Sequence, residues 1–153
     1  MMNAAMKPSP LAIALLLATG FQGGALGAAA ETCTLNIHVT GLRNQKGDVA
    51  GLAFRSSDGW PEDKDKASAG ETASIHGSQA TVSLQAPPGK YAVVAVHDEN
   101  QNRKLDRNFL GIPTEGFGFA NNPTVFLAAP SFKKAEVNVA CPVTNITVKM
   151  IYK

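Results

Sequence analysis

Hydrophobic side chains at every second position constrain this chain more than any other feature. In TLNIHVT, residues 34–40, Leu35, Ile37 and Val39 share one face while Asn36 and His38 share the other. A strand alternates its side chains with period two, so this reads as a half-buried strand. Ala50, Leu52 and Phe54 repeat the pattern, as do Val82 and Leu84 within 79–86. In KYAVVAVH, residues 90–97, Tyr91, Val93 and Ala95 fall on one face and Val94 and Val96 on the other, which predicts a strand covered on both sides. The segment NITVKMIYK, residues 145–153, points Ile146, Val148, Met150 and Tyr152 one way. Weaker strands fit near 72–76, 124–128 and 134–140.

Seven or eight short strands separated by Gly- and Pro-containing turns predict an all-β fold, an antiparallel β-sandwich of transthyretin-like or immunoglobulin-like build. Pro87-Pro88-Gly89 before a strand is a habit of transthyretin-like and carboxypeptidase-regulatory-like sandwiches, and of many others. Two long loops are expected at 56–71 and 98–123, with at most one short helix, in DGWPEDKDKASAGE (58–71).

The chain has 153 residues, enough for one domain. Residues 1–30 carry the marks of a Sec-type signal peptide: Lys7, the apolar run LAIALLLATGF and the small residues Ala28, Ala29 and Ala30. That run is too short to span a bilayer core, which needs about 20 residues. The expectation is a periplasmic or secreted domain over 31–153 with no transmembrane segment. Without Lys7 the charge is 13 − 12 = +1, too near neutral for a nucleic-acid partner. In an oxidising compartment Cys33 and Cys141 are most simply one disulfide.

One segment carries candidate chemistry. In HDENQNRKLDRN, residues 97–108, Asp98, Asn100, Asn102, the Lys104 carbonyl and Asp106 fall at positions 1, 3, 5, 7 and 9 of an EF-hand-type calcium loop. Position 6, normally Gly, is Arg103, and position 12, normally Glu, is Phe109; Glu115 is the available substitute. The competing reading is an Asx-rich turn, because Asn and Asp side chains close turns on their own backbone without any metal. Both readings stand at this level, and calcium, in a structural role, is the one cofactor implied.

His97 with Asp98, Glu99 or Asp106 supplies the elements of an acid–base group. Neighbours along a strand point to opposite faces, however, so adjacency does not make a dyad. The chain has no GxSxG elbow, Gly-rich phosphate loop or HExxH. Trp60 reads either as an exposed binding aromatic or as a plug under a long loop. Phe109, Leu110, Ile112, Phe117 and Phe119 are expected to pin the 98–123 loop to the body. The leading expectation is a non-enzymatic binding or accessory module of the cell envelope. Its partner would be an envelope protein or a small ligand, held by the two long loops, with His97, Trp60, Glu115, Phe117 and Asn121 as candidates. The alternative is a small envelope hydrolase using His97 and its neighbouring carboxylates.

The string HDENQNRKLDRNFLGIPTEGFGFANNP, with GLRNQKGDVAGLAF before it and PSFKKAEVNV after it, resembles the exported bacterial proteins grouped as domain of unknown function 2141. The resemblance runs from about Thr34 to Tyr152. It implies a small β-sandwich, in a Gram-negative envelope or secreted, and no activity. It also implies Asn-Gly-Asn-Gly in the acidic loop, where this chain has Gln101 and Arg103 in place of the glycines.

Overall fold

The computed structural model describes residues 30–153, and the expected signal peptide lies almost wholly outside them. Eight strands form two sheets: β1 (Cys33–Thr40), β2 (Asp48–Phe54), β3 (Ala69–Ala73), β4 (Gln79–Ala86), β5 (Gly89–Asp98), β6 (Gly116–Phe119), β7 (Glu136–Val139) and β8 (Val143–Lys149). The only helical pieces among the described residues are 3-10 turns at Lys64–Lys66 and Phe132–Ala135. The first sheet runs β4-β1-β8 and the second β3-β2-β5-β6, with β7 pairing the start of β5 beyond β6.

The all-β sandwich expected from the alternation is therefore present, with one departure from antiparallel pairing. β1 and β8 run parallel, in the register Thr34↔Val143 to Thr40↔Lys149. The disulfide fits this direction. Cys33 opens β1 and Cys141 lies two residues before β8, with their Cα atoms 4.6 Å apart, so both strands leave the same point. The Thr34 amide donates to the Pro142 carbonyl at 3.0 Å beside this tie.

Between the sheets lie Leu35, Ile37, Val39, Val82, Leu84 and Val148 from the first, and Val49, Tyr91, Val93 and Ala95 from the second. Burying one such large side chain contributes about 1.5–3 kcal/mol. Gly51 lets the layers approach: a Cβ there would sit 2.9 Å from Ile37 Cδ1 and 3.0 Å from Val82 Cγ1.

β5 is apolar on both faces, as its sequence predicts, because the second sheet carries another apolar layer on its outer side. Phe54, Ala92, Val94, Phe117, Phe119 and Ala135 are buried there, under Trp60, Phe132, Leu105 and Val125. The expected strand at 124–128 is absent; Pro123 and Pro130 bound this stretch and cannot donate to a ladder. The strand in this part of the chain is β6, where Gly116 and Gly118 allow close packing. A Cβ on Gly118 would lie 2.6 Å from the Lys149 carbonyl oxygen, and one on Gly116 would lie 2.5 Å from the Tyr152 ring.

Candidate functional site

The outer face of the second sheet is covered only in part. Leu52 from β2, Val94 and Val96 from β5, and Phe117 and Phe119 from β6 form the floor of a groove of about 1560 Å3. Its walls are three loops: residues 61–67, residues 102–113 and residues 125–129. An ion pair from Arg107 Nη2 to Glu62 Oε1 joins two of those walls. Trp60 closes the layer beside the groove. Its ring lies 5.5 Å from Phe54, 5.7 Å from Phe119 and 5.9 Å from Phe132, and its Nε1 donates to the Pro130 carbonyl at 3.0 Å. Of the two readings of Trp60, the packed plug is the one the geometry gives. Phe117 is likewise floor rather than an exposed contact, at 6% exposure.

The 98–123 loop divides differently from expectation. Phe117 and Phe119 do pin it, but Phe109, Leu110 and Ile112 stay at the surface. The reason is local. An isolated bridge between Arg107 and Pro113 makes residues 107–113 a small hairpin, and Asn108 Oδ1 accepts from the amides of Leu110 (2.9 Å) and Ile112 (3.1 Å). The tip satisfies its own backbone and needs no apolar anchor.

The acidic loop packs against one end of the groove, where Asp98, Asn102 and Arg103 line it. Asp98, buried at the end of β5, accepts from the Asn102 amide (3.1 Å) and the Arg103 amide (2.7 Å). Asn100 Oδ1 accepts from the Asn102 amide and Asn102 Oδ1 from the Lys104 amide. Asp106 receives the Asn100 side-chain amide at 2.5 Å and that of Asn102 at 2.8 Å. Asp98, Asn100, Asn102 and Asp106 are thus brought together by a chain of Asx turns. Gln101 (φ 59) and Arg103 (φ 65) both take the left-handed conformation that favours Gly. Glu115 is buried and accepts from the Glu99 and Asp106 amides, tying the two ends of the loop. Among the described residues no three His, Cys, Asp or Glu side chains are grouped to hold a metal ion. Asp48 lies beneath the loop: its Oδ2 accepts from Gln101 Nε2 and faces Arg103 at 3.3 Å, and its buried Oδ1 has no partner.

His97 does not reach the surface. It points between the sheets at 0% exposure, with Nε2 2.8 Å from the Lys46 carbonyl and Nδ1 2.8 Å from the Tyr152 hydroxyl. A carbonyl only accepts, so Nε2 carries a proton, and in the neutral imidazole Nδ1 accepts from Tyr152. Burial pushes the Tyr152 phenol above its usual value, which keeps this donor protonated. Asn121, at φ 65, donates from Nδ2 to the carbonyls of Lys134 (3.1 Å) and Glu136 (2.8 Å), bracing the turn after β6. His97, Glu115 and Asn121 are therefore held by internal partners, away from the groove lining.

Arg43 donates from Nε and Nη2 to the two Glu99 oxygens at 2.7 and 2.8 Å, and Asn44 adds a third bond at 2.8 Å. The Arg43 guanidinium holds the Glu99 carboxyl down to about 2, from 4.5. Because the folded value is depressed, the stabilisation is complete above about 4.5 and is lost as pH falls toward about 2. Arg43→Met should remove about 1–2 kcal/mol at neutral pH and flatten the fall in stability across that acid range, read by urea unfolding at several pH values.

Sequence reasoning identified two of the three wall loops and named Phe117 of the floor, but missed the rest of the floor and the 125–129 wall. The signal for the floor was present in β5, whose Val94 and Val96 mark a second covered face. Nothing in the spacing says that the cover is incomplete.

The fold and groove define a β-sandwich with one recessed apolar sheet face between loops. A family model described as an uncharacterized protein conserved in bacteria, DUF2141, matches residues 37–147, and the chain belongs to that family. No curated protein and no solved structure matches the chain.

Proposed function

We propose that this protein is a non-enzymatic exported binding module whose groove takes a ligand with an apolar body. The observation that carries the reading is the floor itself: Leu52, Val96 and their neighbours form an apolar sheet face recessed between three loops. A small envelope hydrolase built on His97 has less support, since that ring is fully buried with both nitrogens used. N-phenyl-1-naphthylamine should bind saturably with a rise in dye emission, and Trp60, the sole tryptophan, reports its arrival by quenching. Val96→Asp, at a half-buried floor position, should weaken that binding at least about tenfold by placing a charge in the apolar site. An absence of saturable binding to the wild type ends the proposal.

A second reading concerns the acidic loop, where we propose calcium in a structural role. It is favoured by the backbone: Arg103 takes the left-handed bend that position 6 of a calcium loop requires, and Asp98 binds the amides at positions 5 and 6. The oxygens available are those of Asp98, Asn100, Asn102, Lys104 and Asp106. Millimolar calcium should then raise the melting temperature by a few degrees, and Asp106→Ala should abolish the rise. An unchanged melt in calcium removes this reading and leaves the groove untouched.

A further inference from the structure

The exposed large hydrophobic side chains among the described residues are not scattered. Phe109, Leu110 and Ile112 sit on the 107–113 hairpin, and Phe126 and Leu127 on the 125–129 loop; Val143 alone lies elsewhere. Both loops are walls of the same groove. Phe109 (95%), Phe126 (78%) and Leu127 (103%) project from the body, while Leu110 (67%) and Ile112 (42%) are partly covered and turn toward the groove. Free-standing apolar tips suit a medium that can close around them.

The tips are also held in place. The Arg107–Pro113 bridge, the Asn108 caps and the Arg107 Nη1 bond to the Gly111 carbonyl at 2.9 Å fix the hairpin without using its apolar side chains. Lys153 Nζ donates to the Val125 carbonyl at 2.9 Å at the base of the second loop.

Charge selects the medium. Residues 103–136 carry Arg103, Lys104, Arg107, Lys133 and Lys134 against Asp106, Glu115 and Glu136, and Glu115 is buried. The tip-bearing stretch thus holds five cations to three carboxylates. Arg103 and Arg107 are engaged by Asp48 and Glu62, while Lys104, Lys133 and Lys134 are exposed and have no ion-pair partner among the described residues. The groove lining also carries Glu62, Asp63, Asp65, Glu71 and Asp98, of which Glu62 pairs with Arg107 of the hairpin.

We infer that the protein docks on an anionic phospholipid surface, inserting Phe109–Leu110 and Phe126–Leu127 below the headgroups while Lys104, Lys133 and Lys134 meet the phosphates. The inference goes beyond the groove reading and does not require the groove to be filled. Apolar insertion and electrostatic attraction add in such contacts, so the binding depends on both the tips and the ionic strength.

The test is co-sedimentation of protein recovered after export with vesicles of phosphatidylcholine alone and with added phosphatidylglycerol. Binding should be confined to the anionic vesicles and should weaken with salt. A Phe109→Ser, Leu110→Ser, Phe126→Ser, Leu127→Ser variant should bind at least about tenfold more weakly with an unchanged melting temperature, because every changed side chain is exposed. Lys133→Glu with Lys134→Glu should weaken binding while leaving the tips intact. No sedimentation with anionic vesicles overturns the inference, as does undiminished binding by the four-site variant or equal binding to neutral vesicles. Tip-dependent self-association without vesicle binding overturns it too, in favour of a second copy. Dye capture in the groove is scored on vesicle-free protein, so either result stands without the other.

Discussion

With Cys33 and Cys141 both replaced by alanine, the protein should lose about 4–5 kcal/mol of stability and melt some 10–20 °C lower. The bond closes a span of 108 residues, so its loss releases a large entropy into the unfolded chain. Its place in the fold adds to this. β8 is an edge strand joined to the sheet only through β1, and the disulfide holds the shared starting point of these two strands. Cys33 is fully buried, so alanine is the appropriate replacement; a serine hydroxyl there would add its own desolvation cost. Urea unfolding of oxidised wild type, reduced wild type and the double variant decides it. The reduced protein and the variant should agree within about 1 kcal/mol, since both lack the same constraint. A variant as stable as the oxidised protein would mean that the β1–β8 pairing needs no covalent tie.

The second large effect belongs to Gly47. It takes φ +68, and a Cβ built on it would lie 1.9 Å from the Asp98 carbonyl oxygen and 2.8 Å from Glu99 Cα. Both obstacles are backbone and cannot swing aside. They belong to the end of β5, where Asp48 pairs with Asp98 and the acidic loop begins. Gly47→Ala should therefore cost more than about 3 kcal/mol, combining left-handed strain with displacement of a strand end. Gly77 is the control: it takes φ +65 with nothing within 4 Å of a built Cβ. Gly77→Ala should cost only about 1 kcal/mol, the strain alone. Equal costs at the two positions would show that the close approach at Gly47 is not what limits the turn.

Much of the fold was legible because one physical rule, the two-residue alternation of a strand, acts locally and repeatedly. β1, β4 and β5 follow from it directly, and so does the double burial of β5. What alternation cannot supply is partnership between distant strands. The parallel β1–β8 pair depends on where Cys33 and Cys141 meet, and neither strand's own pattern encodes its neighbour's direction. The candidate site was legible by half. Asx spacing marked residues 98–106, and their side chains do converge. The apolar content of residues 109–119 was read as a single anchor, yet Phe117 and Phe119 pack while Phe109, Leu110 and Ile112 stay at the surface. The split comes from Asn108, whose side chain completes the hairpin and frees its tip from packing. Trp60 could be read either way because an indole suits both roles; its three aromatic neighbours come from β2, β6 and the turn before β7.

Titrating N-phenyl-1-naphthylamine into protein with labelled methyl groups tests the groove most directly. The account predicts methyl shifts at Leu52, Val94, Val96, Leu110 and Ile112, with Leu35, Ile37 and Val82 between the sheets unmoved. Shifts confined to the β4-β1-β8 sheet, or none at saturating dye, would contradict it.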